Sequence, residues 1–224
     1  MKKFELTSEF ITNIFGTKLF RIKALIEFGN VKAGELGGFT EKEENLSQDG
    51  NAWVYDNARV YGDACVCGDA CVCGDARVHG NARVCGDACV YDNARVYGDA
   101  CVYDNARVYG DACVYGDARV CDNARVYGNA WVYGDACVCG DACVYGDACV
   151  YGDAGYATVH GFGSEYRTTT FFKTKAGDIG VKCGCFYGNL SEFRKKVVET
   201  HGETKKAKEY LMLADLMEFR LTHK

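Results

Sequence analysis

Ala64-Cys65-Val66-Cys67-Gly68-Asp69, followed without a break by Ala70-Cys71-Val72-Cys73-Gly74-Asp75, is the stretch whose reading decides the fold. The same phrase, Ala-x-Val-x-[Gly/Asp]-[Asp/Asn], runs from Ala52 to Ala154 with no insertion, and Val recurs every sixth position from Val54 to Val150. Self-similarity at a fixed period is the signature of a solenoid. Within one hexad the Ala and Val side chains point one way and the intervening two point the other, as in a strand. The pair that follows is corner chemistry, since Gly, Asn and Asp tolerate the backbone angles a corner needs. Each hexad therefore predicts one short strand and one corner. Small Ala suits a crowded inner corner and β-branched Val a packed inner face. One hexad cannot bury its own Val, so coils must stack. Each buried Val is worth roughly 1.5 kcal/mol or more before chain entropy is subtracted.

An aliphatic residue followed four positions later by a small one, as in Val66 with Ala70 and Val72 with Ala76, resembles the hexapeptide-repeat family. The resemblance covers residues 50 to 154. It implies a mainly β protein built on a left-handed parallel β-helix, a three-sided solenoid of about six coils with three hexads in each. The periodicity alone predicts a solenoid; the hand and the triangular section come from the resemblance. The family includes acyltransferases, a class of carbonic anhydrases and non-catalytic members. The flanks look like those of uncharacterised bacterial and phage hexapeptide proteins, often labelled transferases.

Hexapeptide acyltransferases bind acetyl-CoA or a related thioester between subunits of a trimer, with a His near a loop that interrupts the coils as general base. This chain departs from that pattern. Its Val-centred hexads run without a loop excursion, and His79, the sole His of the array, takes a position that Tyr normally fills. His79 is the one candidate base, set against the simpler reading of a repeat variant. His160, His201 and His223 lie beyond the array. A carbonic-anhydrase zinc site needs several converging His, which scattered ones do not supply. The reading is a non-catalytic scaffold or binding module without a cofactor; acetyl-CoA belongs to the alternative, a CoA-dependent acyltransferase.

The flanks read as caps, which solenoids need because their open sheet edges invite polymerisation. Residues 1–49 predict a hairpin, with Phe20, Ile22 and Ala24 alternating after a turn at Gly16, and an irregular first coil over Val31 to Leu46. Residues 50–154 form the β-helix. Residues 155–224 predict an α+β subdomain, with strands over Thr168 to Lys173 and Ile179 to Phe186 split by a turn at Ala176-Gly177-Asp178. Two amphipathic helices follow. One carries Leu190, Phe193 and Val197, with Asn189 or Ser191 as N-cap and Gly202 as stop. The other carries Ala207, Tyr210, Leu211, Ala214, Met217 and Leu221.

Residues 50–154 hold 15 Asp against 7 Arg, an acidic surface that disfavours nucleic acid, whose phosphates dominate such affinity. The basic tail reads as a solvated helix face. The start, Met1-Lys2-Lys3-Phe4-Glu5, does not resemble a signal peptide, and no apolar run approaches a membrane span. Most of the 15 Cys occupy the outward positions of the repeat, where evenly spaced ladders are a poor framework for specific disulfides. A reducing cytoplasm is the expected compartment.

With three hexads per coil, equivalent outward positions stack into columns. Tyr91, Tyr109, Tyr127 and Tyr145 form one and Tyr97, Tyr115, Tyr133 and Tyr151 another, with Arg59, Arg77 and Arg95 beside the second. The array has no Lys and no Glu. Tyr and Arg enrichment with Lys and Glu depletion is interface composition, so these residues are the candidate binding surface. Self-association is expected, trimer first and dimer second, with a protein or small-molecule ligand as other partners. Duplication of one hexad with whatever it carried is the competing origin of the columns, and Tyr ladders suit strands in any case. Cys67, Cys85, Cys121 and Cys139 share a third column that could ligate a soft metal, though without the clustered C-x-x-C spacing of a zinc motif; Cys183-Gly184-Cys185 is too close a pair to be diagnostic. Asp117, Asp135 and Asp153 stack at one corner, where solvent or a bound cation would relieve repulsion.

Overall fold

In the computed structural model, which describes residues 2–162 and 167–222, every Val from Val54 to Val150 and every Ala two residues before it is buried. Strand pairing is parallel and offset by one coil: Arg59 pairs with Arg77 and Val60 with Val78, and Val96 pairs with Val114. Successive hexads consequently join three different parallel sheets, the sides of a prism of about six turns. Between its two ends the core is a column of Ala and Val.

The corners explain the Gly-or-Asp choice. Gly68 has φ +70°, and a Cβ there would come within 2.9 Å of the Gly86 amide nitrogen one coil away. Asp56, Asp92, Asp104 and Asp122 hold the same left-handed corner with φ of 52, 59, 58 and 58°. Three of these recover the strain locally: the carboxylates of Asp56, Asp92 and Asp122 accept the N–H of Gly74, Gly110 and Gly140 in the next coil. Repulsion between stacked acids is relieved where Asn alternates with Asp, since Asn81 donates to Asp99 and Asn123 to Asp141.

At the N-terminal end, strands Phe4–Thr12 and Lys18–Ala24 form an antiparallel hairpin. Strand Leu36–Thr40 pairs antiparallel with that hairpin and parallel with the first rungs, Phe39 opposite Arg59, so it converts one kind of sheet into the other. Carbonyls of the first coil that have no coil beneath them take side-chain donors. Lys3 Nζ reaches the Gly50 and Ala52 oxygens, and Asn45 Nδ2 reaches those of Gly62 and Ala64. Trp53, fully buried, closes the core against Phe4 and Phe28.

At the other end, strands Tyr156–Phe162, Arg167–Lys173, Ile179–Cys183 and Phe186–Asn189 form an antiparallel sheet. Two sequence expectations are corrected here. Ile179 to Phe186 is not one strand, because Gly184 at φ +55° turns the chain back on itself. Tyr156–Phe162, a stretch marked in the sequence only by its break in register, is a full strand because it finds an antiparallel partner in Arg167–Lys173. The sheet terminates the ladder with hydroxyls: the Cys143 N–H donates to Thr170 Oγ1, while the Tyr156 hydroxyl accepts from the Cys139 N–H and donates to the Cys137 carbonyl.

Helices α1 (Leu190–His201) and α2 (Lys205–Thr222) pack on this sheet. Asn189 caps α1 by accepting from the Glu192 N–H, Glu192 reaches back to the Asn189 N–H, and Gly202 ends the helix. On α2 the predicted stripe is buried at Ala207, Tyr210, Ala214, Met217 and Leu221, with one correction: Leu213 is buried and Leu211 only half-buried. No described helix is long and apolar enough to cross a membrane.

Candidate functional site

The coil repeat sets the spacing of everything on the prism faces. Tyr91, Tyr109 and Tyr127 stack nearly parallel with ring centroids 4.7 Å apart, close to the separation of neighbouring strands. Tyr145 follows at 4.4 Å, and Tyr187 of the C-terminal sheet closes the column edge-on at 4.6 Å. The second column is longer than the sequence reading had it: Tyr61 and His79 precede Tyr97, Tyr115, Tyr133 and Tyr151. The rings are half-buried except the two at the C-terminal ends of the columns, Tyr187 at 41% and Tyr151 at 66% exposure; Trp131 on the same sheet as Tyr151 is 41% exposed. Stacked rings shield one another's faces, so each column presents mainly ring edges. Hydroxyls find partners across coils, as Tyr133 does with the Cys149 thiol and Tyr127 with that of Cys143, each at 3.3 Å. The Cys149 contact, together with desolvation, pushes the Tyr133 phenol up to about 12.

His79 lies in this stack with Tyr61 on one face at 4.7 Å and Tyr97 on the other at 5.1 Å. Burial, reinforced by the guanidiniums of Arg77 and Arg95, holds its imidazole below the ordinary histidine range. Arg59, Arg77 and Arg95 pair in register down the same side. The other candidate histidines do not converge on it. His160 sits exposed at 3.1 Å from Thr168 Oγ1, His201 stacks on Tyr210, and His223 lies outside the described residues. Asp117 and Asp135 are solvent-exposed.

The thiol column divides. Cys67 and Cys85 hydrogen-bond to each other, with Cys65 beside them. Tyr103 then interrupts, its hydroxyl bonded to the Cys121 thiol and raised to about 12. Cys121 and Cys139 come together with Cys137, a residue absent from the sequence candidates, their three sulfurs lying within 4.8 Å of one another. Desolvation and the neighbouring thiols push Cys137 up to about 11. Cys137 and Cys139 also line an open depression of about 390 Å³ with Tyr156 and Arg220. Cys137 was missed because the two outward positions of the hexad were read as separate columns. They are adjacent on one sheet face, which period-two alternation implies. A second depression, about 290 Å³, lies in the C-terminal subdomain and gathers Cys183, Cys185, Lys196, His201 and Tyr210 beside Phe193.

The array matches the YdcK beta solenoid repeat. Matches fall at residues 52–68, 82–98, 88–104, 100–116 and 118–134. The chain is also similar to a protein of Escherichia coli (strain K12) called "Uncharacterized acetyltransferase YdcK", 40% identical over 63 residues, which are 25% of this chain and 19% of that one. The chain thus spans about a fifth of that relative's length. These likenesses and the observed solenoid fit a hexapeptide-repeat β-helix family. The YdcK-type matches take in His79's neighbouring rungs and Cys121 but stop at residue 134, short of Cys137, Cys139 and the whole C-terminal subdomain.

Proposed function

We propose that this protein is a non-catalytic solenoid scaffold that binds another protein chain, a second copy of itself first, along its ring-bearing faces. The observation that carries the reading is the place of His79. The one histidine of an array without loop excursions is a rung in an aromatic stack, with both ring faces covered. A general base works through its in-plane ring nitrogens and needs a bound acceptor within hydrogen-bond reach of them, and neither depression described above is lined by His79. Supporting a protein partner are the Tyr91 to Tyr145 and Tyr97 to Tyr151 columns with Arg59, Arg77 and Arg95, on an array lacking Lys and Glu. A trimer or a dimer packed side by side is the expected assembly. The abundance of outward thiols supports a reducing cytoplasm, and the flanks add a phage or other mobile-element origin, which the genomic neighbourhood of the coding sequence tests.

A second reading, CoA-dependent acyl transfer, is favoured by the word acetyltransferase in the relative's name. Calorimetric titration with acetyl-CoA and an acyl-transfer assay separate the two. The scaffold reading expects neither binding nor turnover; micromolar binding, with transfer abolished in His79→Ala, replaces it with the enzyme. Light scattering addresses the partner: a mass near the 24.6 kDa of one chain at all concentrations removes self-association.

A further inference from the structure

We propose that Cys121, Cys137 and Cys139 form a binding site for one thiophilic d10 cation, of the Cu(I) or Zn(II) class, at the junction of the array and the C-terminal sheet. The three sulfurs lie within 4.8 Å of one another. Three thiolates around zinc, with metal–sulfur bonds of about 2.3 Å, would stand roughly 3.8 Å apart. Side-chain rotations that move each sulfur by on the order of half an ångström close that gap without backbone change. Thiolate donors select soft cations over magnesium or calcium.

The surroundings suit a bound cation better than a chance meeting of thiols. Cys121 is buried, so the sulfur at the floor is shielded, whereas Cys139 is exposed and gives entry. The depression lined by Cys137, Cys139, Tyr156 and Arg220 lies against the open side of the trio, leaving room for a further ligand such as water. The Tyr156 hydroxyl, 3.8 Å from the Cys139 sulfur, already ties this point to the incoming sheet. Each metal–sulfur bond replaces an S–H bond, so binding releases up to three protons to solvent and changes no oxidation state. The cation would pin two successive coils to each other beside the edge of the C-terminal sheet. This inference is independent of the partner and of any acyl transfer.

The test is titration of the reduced full-length chain with Cd(II) against a competing chelator, following the sulfur-to-cadmium charge-transfer absorbance, whose intensity scales with the number of thiolates bound. Cys139→Ser removes one ligand at an exposed position, Cys121→Ser removes the buried one, and Cys89→Ser on another side of the prism is the control. The expected result is a first equivalent with a three-thiolate band that survives in Cys89→Ser. In Cys139→Ser it weakens by at least about 10-fold and loses a third of its intensity. A rise in melting temperature with one equivalent of metal, seen in the parent and absent in Cys139→Ser, accompanies it. A first equivalent that is unchanged in Cys139→Ser, or that is lost equally in Cys89→Ser, overturns the proposal.

Discussion

Val102 and Phe193 are both buried, but their surroundings differ in kind. Val102 lies between Val84 and Val120, copies of itself one coil down and one coil up. Phe193 meets Phe171, Phe186 and Tyr210 at centroid distances of 5.9, 5.5 and 5.8 Å, the first and last edge-on and Phe186 tilted. The array solves one packing problem and reuses the answer at every rung. The C-terminal subdomain solves several once each. A repeat core draws its stability from nearest-neighbour terms, so damage at one rung spreads through the rungs that depend on it, while damage in an irregular core stays with the residues that shared the missing volume.

The strongest way to break this contrast is Val102→Asp. It places a carboxylate without a partner in a column of Ala and Val, a cost of roughly 5 kcal/mol or more. The expected outcome is loss of amide-exchange protection on both sides of the substitution, out to the caps. A loss confined to the two adjoining coils would show that rungs fold more independently than the contrast allows. Phe193→Ala should cost about 3–4 kcal/mol and strip protection from the C-terminal sheet and helices while the central rungs keep theirs. If the array melts in the same transition, the two cores are one cooperative unit.

His79→Tyr is the smallest and sharpens the account of the ring stack. The folded imidazole is held below its ordinary value of 6.5 by burial and then by Arg77 and Arg95. A group whose pKa falls on folding contributes stability that is present above its unfolded pKa and is lost as the pH drops below it. The parent chain should therefore lose melting temperature relative to His79→Tyr as the pH falls below 6.5, and the gap should close above it. A gap of equal size on both sides would mean that the imidazole is not shielded by Tyr61 and Tyr97.

The array was legible because each hexad repeats the same vote, so the Val positions, the corner glycines and the Tyr columns needed only the period. The ends of α1 were legible for a local reason: Asn189, Glu192 and Gly202 act on backbone within a few residues of themselves. What escaped is what joins distant positions. Nothing near Lys3 or Asn45 in sequence announces that they complete the first coil's carbonyls, and nothing near Thr170 points to Cys143. Leu213 in place of Leu211 is the same kind of miss, since the sheet and not the helix decides which flank of α2 is covered. The thiol trio was missed for a different reason. Cys137 and Cys139 are separated by one residue and Cys121 by one coil, so only reading along and across the strands together unites them.

The prism also works as an indexing device. Equivalent positions recur after 18 residues, as from Arg59 to Arg77, so loss or gain of a whole coil by unequal recombination slides the C-terminal subdomain along the axis by about 4.8 Å without turning it. Loss of a single hexad instead turns that subdomain by a third of a revolution relative to the N-terminal hairpin, and carries every Tyr and Cys beyond the junction onto a new side. Length and angle between the two caps can thus be dialled separately by counting sixes. Lineages that keep the same faces aligned should differ in multiples of three hexads.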